Sequence, residues 1–171
     1  CWGLDNYGQL GDGGTNTDED TPVSVSLGNG RTAVAVSAGG YHTCAILDDG
    51  SLNCWGHNFY GQLGDGGIDP EEDTPVSVSL GTGNTAVAVS AGGSHTCAIL
   101  DDGSLNCWGD DGIGQLGHGG TSNQNSPTLT SSVGAGRTAV VPSSGVFNTC
   151  AHLDNGSAAC EGKGRTCHRG R

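Results

Sequence analysis

The sequence predicts an all-β fold of β-propeller-type blades, formed by three tandem repeats of four short strands each. The tripeptide Cys-Trp-Gly recurs at Cys1, Cys54 and Cys107, so the repeat period is 53 residues. Short segments of alternating apolar and polar residues are typical of half-buried strands. The 33 glycines among 171 residues suit many tight turns. We therefore predict repeats at residues 1–53, 54–106 and 107–159, within a repeat region of residues 1–162.

Four segments of each repeat are the predicted strands. TPVSVSL occupies residues 21–27 and 74–80, with a weaker copy, SPTLTSS, at residues 126–132. TAVAVSA follows, and in the third repeat Pro142 is expected to interrupt this strand because proline has no N–H to donate to a ladder. HTCAIL and SLNCWG flank the turn Asp48-Asp49-Gly50, which predicts a β-hairpin with glycine at the position of positive φ.

These motifs resemble a known family of repeats. GQLGDGG, TPVSVSL and AVSAGGYHTCAILDDGSLNCWG are similar to the regulator of chromosome condensation repeat, over residues 1 to about 162. The resemblance implies a β-propeller with four-stranded blades, usually seven in a ring. Because propellers need about four blades or more to close, we expect a partial or open propeller. Family members include a nucleotide exchange factor for a small GTPase, a β-lactamase inhibitor and a plant ultraviolet-light receptor, so the resemblance implies protein binding through loops.

Six of the eight cysteines form pairs ten residues apart, on the two arms of the predicted hairpins. With a three-residue turn, the two members of each pair lie opposite each other, close to disulfide range. The predicted disulfides are Cys44–Cys54, Cys97–Cys107 and Cys150–Cys160. Such bonds imply an oxidising compartment, as in the secreted, disulfide-containing members of the family, and we expect an extracellular or cell-surface location.

Zinc binding is the alternative use of these cysteines. Structural zinc sites usually have closer pairs such as Cys-x-x-Cys, so disulfides are favoured. Cys1 and Cys167 have no partner at the ten-residue spacing. They are candidate junction cysteines, which could bond to each other, to a neighbouring chain or to nothing.

The charge distribution excludes several partners. The formal net charge is −12, so the body of the chain offers no basic face for nucleic acid, and we expect none to bind. No stretch of 18 apolar residues predicts a membrane span. Residues 163–171 form a basic C-terminal tail, with Lys163, Arg165, Arg169 and Arg171. This tail is either a solvated segment, which is favoured, or one that binds an acidic surface.

Other candidate sites have simpler structural explanations. His42 and His95 recur in the repeat, which favours a side-chain hydrogen bond within each blade over catalysis. The recurring tryptophans are assigned to blade packing. The acidic loops at residues 12–20 and 65–73 carry oxygen ligands suited to calcium, but a solvated loop is favoured. Asn155 is a candidate N-glycosylation site in the sequon Asn-Gly-Ser.

No catalytic, cofactor-binding or metal-binding constellation emerges from the sequence, and we expect a protein that is not an enzyme. The leading hypothesis is an extracellular structural or assembly scaffold that acts through protein–protein contacts. In this hypothesis the partner is another copy of the chain or further repeats, in an oligomer or filament. The alternative is a regulatory propeller, similar to an enzyme inhibitor or an exchange factor, that binds one soluble protein partner.

Overall fold

The computed structural model describes residues 1–14, 17–130, 133–134 and 136–162. Within these ranges the fold is all-β, with eleven antiparallel strands and no helix that could cross a membrane. In chain order the strands are β1 Ala33–Ala38, β2 His42–Leu47, β3 Leu52–His57, β4 Glu71–Ser77, β5 Ala86–Ala91, β6 His95–Leu100, β7 Leu105–Gly109, β8 Gln124–Leu129, β9 Ala139–Ser144, β10 Asn148–Leu153 and β11 Ala158–Gly162.

The strands form three sheets that resemble propeller blades. Sheet 1 has the order β1-β2-β3-β4 and sheet 2 the order β5-β6-β7-β8. The outermost strand of each comes from the repeat that follows along the sequence. A sheet therefore begins about 30 residues after a Cys-Trp-Gly tripeptide and ends within the next repeat. Sheet 3 contains β11-β10-β9 among the described residues. Sheet 1 packs on sheet 2 and sheet 2 on sheet 3, without closing a ring in the part of the chain described.

Two strand predictions were wrong. Residues 21–27 do not form a strand, because their partner is the short segment 1–3: a single bridge joins Gly3 to Glu19, and Cys1 and Val23 exchange backbone hydrogen bonds. Pro142 does not interrupt its strand but lies inside β9. Since β9 is an edge strand, a residue that lacks an N–H costs no ladder bond on the open side.

The hydrophobic core lies between successive sheets. Every residue of β2 and β6 is buried, although each strand would expose one face in an isolated sheet. Side chains of sheet 1, including Ile46 and Leu52, pack against Ala86 and Trp108 of sheet 2. The same arrangement recurs one sheet later, where Ile99 and Leu105 pack with residues of sheet 3. Each interface therefore joins the first two strands of one sheet to the first strand of the next, and side chains of the third strand, such as Leu52, complete the core.

The three predicted cysteine pairs are disulfides in the structure. In each hairpin the two cysteines are direct partners across the antiparallel ladder. The Cα atoms are 4.0 Å apart in Cys44–Cys54 and 4.1 Å apart in Cys97–Cys107. These two bonds are fully buried between sheets, whereas Cys150–Cys160 is half-buried because no described residue covers that side of sheet 3. The first two disulfides are thus part of the core as well as cross-links.

The buried histidines join neighbouring sheets rather than residues of one blade, which corrects the sequence-based expectation. His42 Nε2 lies 2.8 Å from Thr96 Oγ1, and His95 Nε2 lies 2.8 Å from Thr149 Oγ1. Because Thr96 Oγ1 donates to the Gln62 carbonyl at 2.8 Å, it accepts from the His42 N–H. His42 therefore carries a proton on Nε2 and links β2, β6 and the loop that follows β3, and burial, which lowers its pKa to about 3, keeps the ring neutral at pH 7.

Two of the three recurring tryptophans are buried as expected for packing: Trp108 lies between sheets 1 and 2, and Trp55 lies between sheet 1 and the N-terminal segment, whereas Trp2 is 67% exposed. The indole Nε1 of Trp108 donates to the Gln62 carbonyl at 3.0 Å, as Trp55 does to Gln9. Gly64 has a φ of +74°, and a Cβ at this position would collide with the Trp108 indole. Glycine is required here both for the backbone conformation and for the close approach of the ring. The GQLG segments at residues 8–11 and 61–64 thus form the surfaces on which Trp55 and Trp108 pack.

Burial of His42 and His95 makes the stability of the fold depend on pH. Burial lowers the pKa of His42 to about 3 and that of His95 to about 4. An unfolded histidine has a pKa of about 6.5, so the unfolded chain binds more protons below that pH. The stabilising contribution is complete above pH 6.5 and falls as the pH drops towards 4. Between pH 7.5 and pH 5 we expect a loss of about 2 kcal/mol for each histidine.

Urea unfolding at the two pH values checks this prediction. The double variant His42→Asn/His95→Asn uses the residue found at the corresponding position of the third repeat, Asn148. It should lose about 4 kcal/mol of the pH dependence of the free energy of unfolding. His152→Asn, which removes an exposed imidazole, is the control. A double variant with the pH dependence of the parent chain would contradict the neutral, buried state of the two histidines.

Candidate protein-interaction surface on the loop face

The stacked sheets have two opposite edges, which carry different loops and turns. One edge of the sheets contains the β1–β2, β5–β6 and β9–β10 turns and the long loops before β4 and β8. We call this edge the loop face. The opposite edge, which contains the hairpin tips Asp48–Gly50, Asp101–Gly103 and Asp154–Gly156, is the tip face. The sheets stack in one orientation, since Gly40 N donates to Gly92 O on the loop face and Ala86 N donates to Gly50 O on the tip face.

Few of the residues singled out in the sequence come together as a site. The six paired cysteines lie in or beside the core, and Asn155 lies exposed at a hairpin tip, where its Oδ1 accepts from Ser157 Oγ at 2.7 Å. Cys1 is half-buried and free. Cys167 and the basic tail lie outside the described residues. No group of three or more histidine, cysteine or acidic side chains in the described ranges is arranged to hold a metal ion.

The loop face carries a group of aromatic rings, which we call the aromatic cluster. It consists of Tyr7, Tyr41, His57, Phe59 and Tyr60. The centroid of the His57 ring lies 4.7 Å from that of Tyr7 in an edge-to-face contact, and 6.3 Å from that of Phe59 in a stacked arrangement. Tyr41 is 46% exposed and Phe59 is 64% exposed. Large aromatic side chains at this exposure are available to a partner.

The loop that follows β3 holds the rings in place. Asn58 is buried, and its Oδ1 accepts from Leu63 N at 3.0 Å, which closes the loop over five residues. Gln62 is also buried: its Oε1 accepts from Tyr60 N at 3.0 Å, and its Nε2 lies 2.7 Å from His57 Nδ1. Since the glutamine amide donates to Nδ1, the neutral His57 carries its proton on Nε2. Desolvation lowers the pKa of His57, and the charge of Glu71 opposes that shift.

The aromatic cluster lies where the loop of residues 5–11 meets sheet 1, which we call the first junction, and it is lost at the second junction, where the loop of residues 58–64 meets sheet 2. Where the first junction has Tyr41, His57 and Phe59, the second junction has Ser94, Asp110 and Gly112. The Asn58 position is taken by Asp111, whose carboxylate lies 3.4 Å from His118 Nε2. The loop geometry is retained, because Asp111 Oδ1 accepts from Leu116 N at 2.8 Å. The frame of the loop thus repeats while the exposed side chains on it differ.

Carboxylates surround the aromatic cluster. Asp5 is buried beside Tyr7, and its pKa is raised by burial and then by the charges of Asp12, Asp18 and Asp73. The pKa of Glu72 is raised by burial and then by the charges of three neighbouring aspartates. These carboxylates repel one another, and with no lysine or arginine beside them in the described residues they make the loop face acidic.

Basic side chains lie on the other face. Two of the six lysines and arginines fall in the described residues, and both are on the tip face. Arg31 lies 2.6 Å from Asp49 Oδ2, and Arg137 lies 3.8 Å from Asp154 Oδ1. The hairpin tips of sheets 1 and 3 therefore have part of their charge balanced, and no lysine or arginine in the described ranges balances the loop face.

Sequence reasoning missed the aromatic cluster because its members come from separate segments, around residues 7, 41 and 57–60. A signal for it was present. Repeats 1–53 and 54–106 differ at ten positions. At three of them the second repeat has His57, Phe59 and Ser94 where the first repeat has Leu4, Asn6 and Tyr41. Periodic motifs draw attention to what is shared between repeats, whereas this surface is defined by what is not shared.

Known proteins match both the sequence and the fold. Models of the regulator of chromosome condensation (RCC1) repeat match residues 1–46 and 49–99, and a second model of the same repeat matches residues 33–62 and 86–115. Mouse "Probable E3 ubiquitin-protein ligase HERC4" is 32% identical over 99% of this chain and 17% of its own length. The chain thus spans less than a fifth of that relative.

Solved structures agree on the fold. Prp20p from Saccharomyces cerevisiae superimposes with a TM-score of 0.74 at 18% identity, over 98% of this chain and 40% of that one. The ectodomain of the Arabidopsis thaliana receptor kinase ACR4 has a TM-score of 0.53 at 22% identity, over 82% and 41%. Since the repeat model matches more than half of the sequence and the sheets superimpose on RCC1 blades, the chain belongs to the regulator of chromosome condensation (RCC1) repeat family.

Proposed function

We propose that this chain is a protein-binding propeller segment that acts through the loop face, with no chemistry of its own. The observation that carries the proposal is the position of the differences between the first two repeats. Eight of the ten fall in segments that build the loop face of the second repeat: residues 57–59, residues 68–71 and Ser94. The other two, Thr82 and Asn84, lie at the tip face.

Solvent exposure alone does not explain this distribution. Val34 and Val87 are both exposed and identical, and the hairpin tips Asp-Asp-Gly-Ser are identical in the two repeats. A frame that is kept constant while one face varies is the arrangement found where loops on a rigid scaffold carry binding. Exposed aromatic residues are also enriched at interface hot spots.

The relatives support a binding role. Prp20p, which shares the fold, has binding properties towards Gsp1p and histones. For this chain we propose the capacity to bind protein, and we do not extend to it the ligase activity that the name of HERC4 states. We further propose that the chain works in an oxidising compartment, at the cell surface or outside the cell. Three disulfides support this location, and one protein with a similar fold is a receptor ectodomain.

Exchange of side chains between repeats tests the binding role without disturbing the frame. In the variant Tyr41→Ser/Phe59→Asn both new residues are those of corresponding positions, Ser94 and Asn6. Arg31→Asn makes the same kind of exchange on the tip face, with Asn84 as its source. We expect quantitative affinity enrichment with the full chain to recover specific partners whose yield falls about 10-fold or more in the loop-face variant only.

Two results would count against the proposal. Equal recovery of every partner by the loop-face variant and the parent chain would place binding elsewhere. Loss of partners in Arg31→Asn alone would move the binding surface to the tip face. Urea midpoints within error of the parent chain establish beforehand that both variants are folded.

Self-assembly into a scaffold is a second candidate, and it is favoured by the side of sheet 1 that residues 1–27 cover only in part. Ala86 and Ala91 of β5 are buried under sheet 1, but the corresponding Ala33 and Ala38 of β1 are exposed. A groove of about 400 Å³ lies there, lined in part by Trp2, Leu10 and Val36. At the next junction the corresponding groove is filled by β1 and β2. We propose that a sheet from a second copy of the chain covers this side of sheet 1.

Sedimentation velocity distinguishes the scaffold from a monomeric binding segment. A self-assembling chain should sediment as a dimer or larger species that shifts with concentration. Ala38→Glu places a charge in the groove and should restore the monomer, whereas Asn29→Glu adds the same charge at the exposed tip face and should not. A parent chain that remains monomeric up to about 100 µM, well above the range of a specific interface, would remove self-assembly from consideration.

A further inference from the structure

We infer that the partner segment received by the aromatic cluster is basic, with arginine or lysine side chains lying against the exposed rings. This inference rests on the proposed function and adds the chemistry of the partner. It depends on three features of the loop face that occur together at the first junction: exposed aromatic rings, a surrounding acidic potential and the absence of basic residues among those described.

The rings offer a surface for a cation. Tyr7, Tyr41 and Phe59 converge on His57 with centroid separations of 4.7 to 6.3 Å. The contacts of Tyr7 and Tyr41 with each other and with His57 are edge-to-face, so these rings present differently oriented faces and edges rather than one closed stack. A guanidinium or ammonium group over such a face is attracted by the ring quadrupole, and arginine can also stack on it.

The carboxylates make the charge of this surface negative. Asp73 packs directly on the loop of Tyr7, since a Cβ on Gly8 would lie 2.6 Å from Asp73 Cα. The charges of Asp12, Asp18 and Asp73 all act on Asp5 of the same loop. Charges of one sign on the segments that carry the exposed rings raise the local concentration of a cationic partner and speed its association.

Other partner classes fit less well. An acidic segment would meet like charge at every side of the aromatic cluster. Nucleic acid bases can stack on aromatic rings, but their phosphates require lysine and arginine, which the described part of the loop face does not contain. A purely apolar segment would gain from the rings and would leave the surrounding carboxylates without a counter-charge. A basic protein segment satisfies the rings and the carboxylates together.

The comparison between faces supports the same conclusion. On the tip face, Arg31 and Arg137 balance aspartates of the hairpin tips within the chain. On the loop face the corresponding balance has to come from outside the described residues. The second junction also separates the two features, because it keeps acidic residues such as Asp110 and lacks the aromatic cluster. It therefore offers an internal comparison of charge with and without rings.

Fluorescence anisotropy with synthetic peptides tests the inference. The probes are labelled twelve-residue peptides that alternate glycine with arginine, with lysine or with glutamine. We expect the 171-residue chain to bind the arginine peptide more tightly than the lysine peptide. The glutamine peptide should bind about 10-fold more weakly or worse, and the affinity for both basic peptides should fall between 50 and 300 mM salt, because the attraction is screened.

Variants separate the aromatic cluster from general charge attraction. Tyr41→Ser/Phe59→Asn keeps every carboxylate and should weaken arginine-peptide binding about 10-fold. Asp12→Asn/Asp73→Asn keeps every ring and should reduce the salt dependence. Arg31→Asn on the tip face should bind as the parent chain does. Equal binding by the Tyr41→Ser/Phe59→Asn variant and the parent would show a non-specific ionic attraction and overturn the inference.

The outcomes also separate this inference from the proposed function. If the enrichment experiment shows partners that depend on the loop face but the chain does not distinguish arginine from glutamine peptides, the partner is not basic and the binding role stands. If neither experiment responds to the loop-face exchange, both proposals fail. Binding of the arginine peptide that depends on Tyr41 and Phe59 supports both.

Discussion

Burial of β2 and β6 on both faces, one under the sheet that follows and the other under the preceding segment, is the constraint on which the rest of the structure depends. The strands β2 and β6 consist of a histidine, a threonine, a cysteine and three apolar residues, and all six positions are buried. Neither strand could be stable in an isolated sheet, because one face would be exposed to water. The disulfide to the neighbouring strand and the histidine bond to the next sheet act at the same place. In β10, where no described sheet follows, the corresponding residues are partly exposed.

This constraint explains why the repeats are alike in some segments and different in others. Residues that reach a neighbouring sheet have little freedom: a Cβ at Gly64 would strike Trp108, and the carbonyl of Gln62 accepts from both Trp108 and Thr96. Loop-face residues such as Tyr41 and Phe59 are not constrained by packing against a neighbouring sheet in this way. Repeats can therefore diverge on the loop face at little cost in stability, and the chain has diverged there. We regard this separation of frame and surface as the basis for a binding role.

Sequence patterns were sufficient for the frame. Exact repetition of Cys-Trp-Gly gave the period, alternation gave the strands, and the Asp-Asp-Gly turn fixed the register that opposes Cys44 and Cys54. Three expectations failed because they depend on neighbours in space. Residues 21–27 do not form a strand because, among the described residues, only the short segment 1–3 pairs with this part of the chain. The position of Pro142 is acceptable because β9 is an edge strand, and the histidine bonds cross between sheets because the turn positions His42 beside β6. The aromatic cluster could not be predicted for the same reason, since Tyr7 and Tyr41 meet only when the N-terminal loop packs on sheet 1.

Hydrogen exchange measured by mass spectrometry on the intact chain tests the central claim most directly. If the following sheet stabilises each second strand, amides of β2 and β6 should be the slowest to exchange, and those of β10 should exchange faster by an order of magnitude or more, since opening of β10 breaks fewer buried contacts. All three hairpins contain the same kind of disulfide, so cross-linking alone predicts equal protection. Equal exchange in β2, β6 and β10 would contradict the claim that packing between sheets holds the frame.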